Sequence, residues 1–121
     1  MAKTLFTVAG ANHYFGVDFL EPNQKLLLVK EPENEYDHEA IRIEVKDLGK
    51  IGYVANSPYT VAGETQSAGR LYDKIGDTAK AKVVYVLPGR AICKICKKSL
   101  LSYQPELPVE EANIPQSTLA E

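Results

Sequence analysis

Residues 40–55 constrain the fold of this chain more than any other stretch. Ala40, Ile41, Ile43 and Val45 are apolar, whereas Arg42, Glu44 and Lys46 between and after them are polar. That is the period of two of a strand with one wet face and one buried face. Asp47-Leu48-Gly49 makes a turn, and Lys50-Ile51-Gly52-Tyr53-Val54-Ala55 returns as the hairpin partner. An isolated hairpin is marginal in water, so further strands must cover its apolar face. Residues 4–9 (Thr-Leu-Phe-Thr-Val-Ala) are rich in β-formers and end at Gly10, and residues 25–30 (Lys-Leu-Leu-Leu-Val-Lys) are apolar enough for a buried strand. Residues 79–87 and 90–96 flank Pro88-Gly89 and form a second hairpin signal.

The pattern changes after residue 55. Asn56 or Ser57 is suited to cap a helix and Pro58 to its first turn, which places the helical region at residues 58–76. Gly63 and Gly69 weaken it, so two short helices fit as well as one long one, the second being Arg70–Ile75 and stopped by Gly76. The expected class is mainly β: a six-stranded OB-like barrel with one or two short helices inserted, closed because closure removes the edges of so few strands. At 121 residues the chain is the size of one domain. The barrel is expected over residues 1–98, followed at 99–121 by an acidic, proline-containing tail with no period.

Charge is unevenly spread. Net charge is −2, but residues 1–69 carry −4, residues 70–98 carry +6, and residues 99–121 carry −4. A basic segment in an acidic chain is either a footprint for phosphates or a solvated face paired with acidic neighbours. No apolar run approaches the ~20 residues that span a bilayer, and the N-terminus lacks the apolar stretch of a signal peptide. The expected location is cytoplasmic, and two cysteines in a short C-x-x-C agree with a reducing compartment.

Motifs of catalysis are missing. Neither a G-x-S-x-G serine nor a G-x-x-x-x-G-K-[ST] phosphate loop occurs, and His38 directly follows Asp37, so their side chains point apart in an extended segment. Cys93 and Cys96 are the weak candidates for metal; zinc wants four ligands and no second pair exists, so zinc would have to be shared between two chains. The plainer reading turns one cysteine inward and the other outward. No resident cofactor is expected.

The odd segment is Glu31-Pro32-Glu33-Asn34-Glu35-Tyr36-Asp37, an acidic loop containing a tyrosine. Its plain reading is a surface turn pinned by Asn34 and Asp37 accepting backbone N–H groups, with Tyr36 folded over the barrel end. Its functional reading is a binding loop.

The run from Lys30 to Ile43 resembles the central motif of HIRAN domains, E-P-x-N-x-Y-D-x-x-A-I followed by a strand. Gly49-Lys50-Ile51-Gly52-Tyr53 matches the family's G-x-[IV]-G-[YH] strand, and Val8-Ala9-Gly10 followed by an aromatic also fits. The resemblance covers roughly residues 5–98. It implies an OB-like barrel that binds single-stranded DNA and, in the fork-remodelling translocases that carry it, captures a free 3′-hydroxyl end. The implied pocket maps onto Asn34, Tyr36, Asp37 and Tyr53, with Asn12 where the family has arginine and His13, then Tyr14, at its aromatic. On this reading Tyr36 and His13 or Tyr14 stack on terminal bases and Asn34 and Asp37 read the 3′-hydroxyl. Lys30, Arg42 and the 70–98 basic group hold phosphates.

The resulting expectation is a non-enzymatic nucleic-acid-binding module, in a repair or replication setting, that recognises 3′-hydroxyl ends of single-stranded DNA. The alternatives are a protein-interaction module serving a nuclease or helicase in trans, and a metal-dependent phosphodiester or anhydride hydrolase using Glu31, Glu33 and Asp37.

Overall fold

The computed structural model describes residues 4–57, 60–63 and 65–104. Its strands are β1 (Leu5–Ala9), β2 (Lys25–Lys30), β3 (Ile41–Val45), β4 (Gly49–Val54), β5 (Thr78–Leu87) and β6 (Arg90–Ile95). They form a closed antiparallel barrel in the order β1-β4-β3-β2-β5-β6, with β6 returning to β1. Both expected hairpins are present: β3 pairs with β4 and β5 with β6.

Alternation is what closes the barrel. Leu26 and Leu28, Ile41 and Ile43, Ala79, Ala81 and Val83, and Ala91, Cys93 and Ile95 all point inward and join one core cluster with Phe6 and Ile51. Small alanines on β5 face larger residues on its neighbours, which is how a narrow barrel is filled without voids. The strand expected at 25–30 is β2, with Leu26 and Leu28 buried and Leu27, 38% exposed, on its outer face.

The helical reading holds for the second short helix, found two to three residues earlier than expected, and is corrected for the first. Among the described residues the one α-helix is α1, Ala68–Tyr72. Residues 60–63 and 65–67 are turn and irregular backbone instead, and residues 58–59, where that helix was to begin, lie outside the described ones. Three local competitors explain the loss. Thr60 Oγ1 donates to the Ser57 carbonyl at 3.2 Å, Thr65 Oγ1 donates to the Ala62 carbonyl at 2.8 Å, and Gly63 sits at φ +50°. Hydroxyls that satisfy nearby backbone offer the chain an alternative to helix. The cap is Ser67, whose Oγ accepts the Arg70 N–H at 3.2 Å. The buried Thr7 hydroxyl is satisfied by this same segment, through Thr65 Oγ1 at 2.9 Å and the Ala62 N–H at 3.2 Å.

Past residue 98 the chain stays packed for a few residues. Leu100 bridges Ile75 and packs on the core, and the Leu101 N–H reaches the Lys74 carbonyl at 2.8 Å. Residues 105–121, most of the expected tail, lie outside the described residues. Among the described residues no helix is long and apolar enough to cross a membrane.

Candidate nucleic-acid interface

The loop between β2 and β3 is closed by its own polar groups. Asn34 Oδ1 accepts the N–H groups of Tyr36 (2.8 Å) and Asp37 (3.1 Å), and Asp37 Oδ1 accepts that of Glu39 (2.9 Å). The Glu31 N–H reaches the Ala40 carbonyl at 2.8 Å and fastens the base of the loop. The two expected anchors therefore do pin the turn. The Tyr36 ring does not fold over the barrel: it is 94% exposed. With the backbone bonds met by Asn34 and Asp37, nothing in the loop holds the ring down.

That ring stands at a cleft of about 470 Å³ lined by Asn34, Tyr36, Asp37, Ala40, Tyr53, Val54, Asn56, Ser57 and Thr60. Across it, Asn56 Nδ2 donates to Asp37 Oδ2 at 2.8 Å while Asn56 Oδ1 accepts the Gly69 N–H at 2.8 Å. One amide thus ties the loop to the start of α1. Among the described residues each Asp37 oxygen has one donor, and a carboxylate has lone pairs for more.

Glu31 is the hub behind the loop. It accepts from Asn34 Nδ2 (3.0 Å), Arg42 Nη1 (3.0 Å) and the Tyr53 hydroxyl (2.9 Å). Burial pushes its carboxyl upward, but these three hydrogen bonds and the nearby Lys50 charge outweigh it and hold the group below the usual carboxylate range. The Tyr53 hydroxyl is pushed up, by burial first and by Glu31 beside it. Lys50 Nζ donates to the Tyr53 hydroxyl at 3.1 Å and lies 5.4 Å from the centre of the Tyr14 ring. The Tyr53 and Tyr14 hydroxyls hold the Lys50 ammonium above its ordinary value. A continuous chain Tyr14–Lys50–Tyr53–Glu31–Asn34 so links the loop after β1 to the acidic loop.

A β-bulge makes that chain geometrically available. The register shifts between Ile43 and Glu44, leaving Ile51 as an extra residue on β4. In an unbroken strand, residues three apart face opposite sides; the bulge puts Lys50 and Tyr53 on the same outer side.

The remaining sequence candidates divide in two. Asn12 and His13 lie on the 3₁₀ turn Ala11–His13, exposed, and line a neighbouring depression together with Thr60 and Arg90. Thr60 belongs to both hollows, so they adjoin. Lys30 and Arg42 are already engaged. Lys30 Nζ donates to the Ile75 carbonyl at 2.9 Å and lies 4.3 Å from the centre of the Tyr72 ring. Arg42 pairs with Glu31 and, through Nε, with Glu44. Their charges serve the barrel first.

Sequence reasoning missed Lys50, Asn56, Thr60 and the individual placement of Arg90. Asn56 carried a signal, its capping chemistry, but that chemistry is spent on a helix twelve residues further along the chain, at Ala68. For the hydrolase and zinc readings, among the described residues no group of three or more His, Cys, Asp and Glu is placed to hold a metal. Glu31 turns toward Arg42 and Tyr53 while Asp37 turns toward Asn56. Cys93 is buried in the barrel, where burial pushes its thiol up to about 12, and Cys96 lies just beyond the end of β6.

Comparison with known proteins gives a consistent result. Residues 2–88 match the family model of the HIRAN domain. The crystal structure of the HIRAN domain of human HLTF superposes with a TM-score of 0.51 at 18% identity, covering 75% of this chain and 72% of that one. A protein from Lactobacillus plantarum superposes with a TM-score of 0.55 at 22% identity, covering 76% of this chain and 88% of that one. No curated protein matches the chain.

Proposed function

This chain belongs to the HIRAN domain family, and from that premise we propose that its cleft binds the 3′-hydroxyl end of a single DNA strand, in the setting of DNA repair or replication. The family is one of nucleic-acid-binding modules. The observation that carries the reading is the 94% exposed Tyr36 ring at the rim of a cleft containing the Asp37 carboxylate. An exposed ring in a loop already closed by backbone bonds contributes little to folding. It offers a stacking face for a base, worth about 1–3 kcal/mol and indifferent to sequence.

Asp37 supplies the selectivity. Its oxygens are fixed by Glu39 and Asn56, leaving acceptor capacity for a hydroxyl donor. The same charge repels a terminal phosphate. Across Thr60, Arg90 offers a guanidinium in the depression where Asn12 replaces the family's arginine, and His13 beside it offers a second stacking face. The module is a binder in this reading, and any catalysis belongs to a partner that processes DNA.

Fluorescence anisotropy with labelled strands tests it. Tyr36→Ala is expected to weaken binding about 5- to 150-fold, the equivalent of one lost stack. Asp37→Asn is expected to narrow the difference between a 3′-hydroxyl and a 3′-phosphate end. Binding unchanged in both variants would refute the assignment of the cleft.

A further inference from the structure

The register of the barrel sets three lysines in one row across three strands. Lys25 on β2 lies directly opposite Lys82 on β5, and Lys82 lies directly opposite Lys94 on β6. Directly opposed residues share a face, and like charges placed so destabilise a sheet. Lys80, two residues before Lys82 on β5, shares that face and is exposed, as is Lys25; Lys82 and Lys94 are half-buried. Among the described residues none of the four has an acidic partner within ion-pair distance, the only such pairs being those of Arg42. Part of the +6 segment of the sequence is thus assembled, with Lys25 added from another strand, into a cationic row that has no ion pair among the described residues.

The row is well separated from the cleft. Lys25 begins β2, and the acidic loop follows Lys30 at its other end, roughly 17 Å further along the strand. The cleft is walled by the β2–β3 loop, the end of β4 and the segment after it, whereas the row lies on β2, β5 and β6.

We propose that the outer face of β2, β5 and β6 is a second nucleic-acid contact, holding the phosphodiester backbone of a single strand away from its ends. Three aligned lysines with no acidic partner among the described residues, at the short spacing of neighbouring strands, match a polyanion whose charges recur along its length. Such a contact is indifferent to sequence and to chain ends, and is strongly salt-dependent. It does not depend on the cleft's being an end reader.

Covalently closed circular single-stranded DNA separates the two surfaces, because it has no 3′-hydroxyl. The full chain is expected to bind an internally labelled circle at ~50 mM salt, with affinity falling steeply as salt rises. Each phosphate contact contributes about 0.7 to the slope of log affinity against log salt, so K25Q/K82Q/K94Q is expected to lower that slope by about 2 and to weaken binding at least ~10-fold. The triple variant should melt at the wild-type temperature or above it, since repulsion has been removed; if it does not fold, K82Q alone, the middle of the row, is expected to lower the slope by about 0.7. A wild-type chain that ignores the circle, or a folded row variant with unchanged slope and affinity, would overturn the proposal. A failure of end reading shows differently, as equal affinity for linear strands ending in hydroxyl and in phosphate.

Discussion

Glu31 illustrates how a residue inside a recognition motif can serve the fold. Its side chain is 17% exposed and binds Asn34, Arg42 and Tyr53. Because its folded pKa lies below the ordinary 4.5, the stability it brings is present above that value and is lost as pH falls from 4.5 through the folded value. Glu31→Gln is therefore expected to cost about 1–3 kcal/mol at pH 7 and to flatten the acid limb of a urea-denaturation series below pH ~4.5. An acid limb as steep as wild type would show that Glu31 is not the titrating group. Tyr36 is the contrasting case. Sequence chemistry identified the anchors Asn34 and Asp37 but placed the ring against the barrel, because an aromatic is usually worth hiding; its exposure follows from a loop that needs nothing from it. The cysteines divide as their positions dictate. In the native chain a thiol reagent is expected to label Cys96 and leave Cys93, whose thiol is buried and pushed up to about 12. Urea should expose both, and rapid native labelling of both would contradict an inward Cys93.

Among elements, the hairpins were legible and the bulge was not. Alternation and turn residues act within one or two strands, so β3–β4 and β5–β6 could be read from residues 40–55 and 79–96. A bulge depends on how two strands meet, and Ile51 looks like any other strand residue; Lys50 was missed for that reason. The first of the expected helices failed on competition, since Thr60, Thr65 and Gly63 drew residues 60–63 and 65 into turn and irregular backbone. Gly69, which looked like a weakness in the helix, permits a close approach: a Cβ there would meet Glu39 Oε1 at 2.6 Å. Gly52 does the same for the sheet. A Cβ on it would lie 2.8 Å from the Ala9 carbonyl oxygen and 3.2 Å from Val8 Cγ1. Gly52→Ala must push β1 from β4 and is expected to cost about 1–3 kcal/mol in urea denaturation. Gly76→Ala, whose Cβ would lie 3.9 Å from the Thr78 carbonyl oxygen, should stay within about 0.5 kcal/mol. Equal stability of the two variants would contradict the tight β1–β4 contact.

At the scale of the whole molecule, the barrel turns an uneven charge sequence into two different surfaces. The acidic segment supplies the loop at one cleft, where Asp37 faces Asn56 and Tyr36 stands free. The basic segment, joined by Lys25, supplies the row on β2, β5 and β6. The net charges are legible in the sequence, but this arrangement exists only once strand order and register are set. An acidic binding loop is unusual for a polyanion, and it is explained if the loop recognises the one place where a strand ends in a hydroxyl donor and not in phosphate. The direct measurement is the affinity of the full chain, by anisotropy at ~50 mM salt, for one single-stranded oligonucleotide ending in a 3′-hydroxyl and for the same strand ending in a 3′-phosphate. A hydrogen bond to a charged group is worth about 1.5–3 kcal/mol, so the hydroxyl end is expected to bind about 10- to 150-fold more tightly. Equal affinity for the two ends, or tighter binding of the phosphate, would contradict the account.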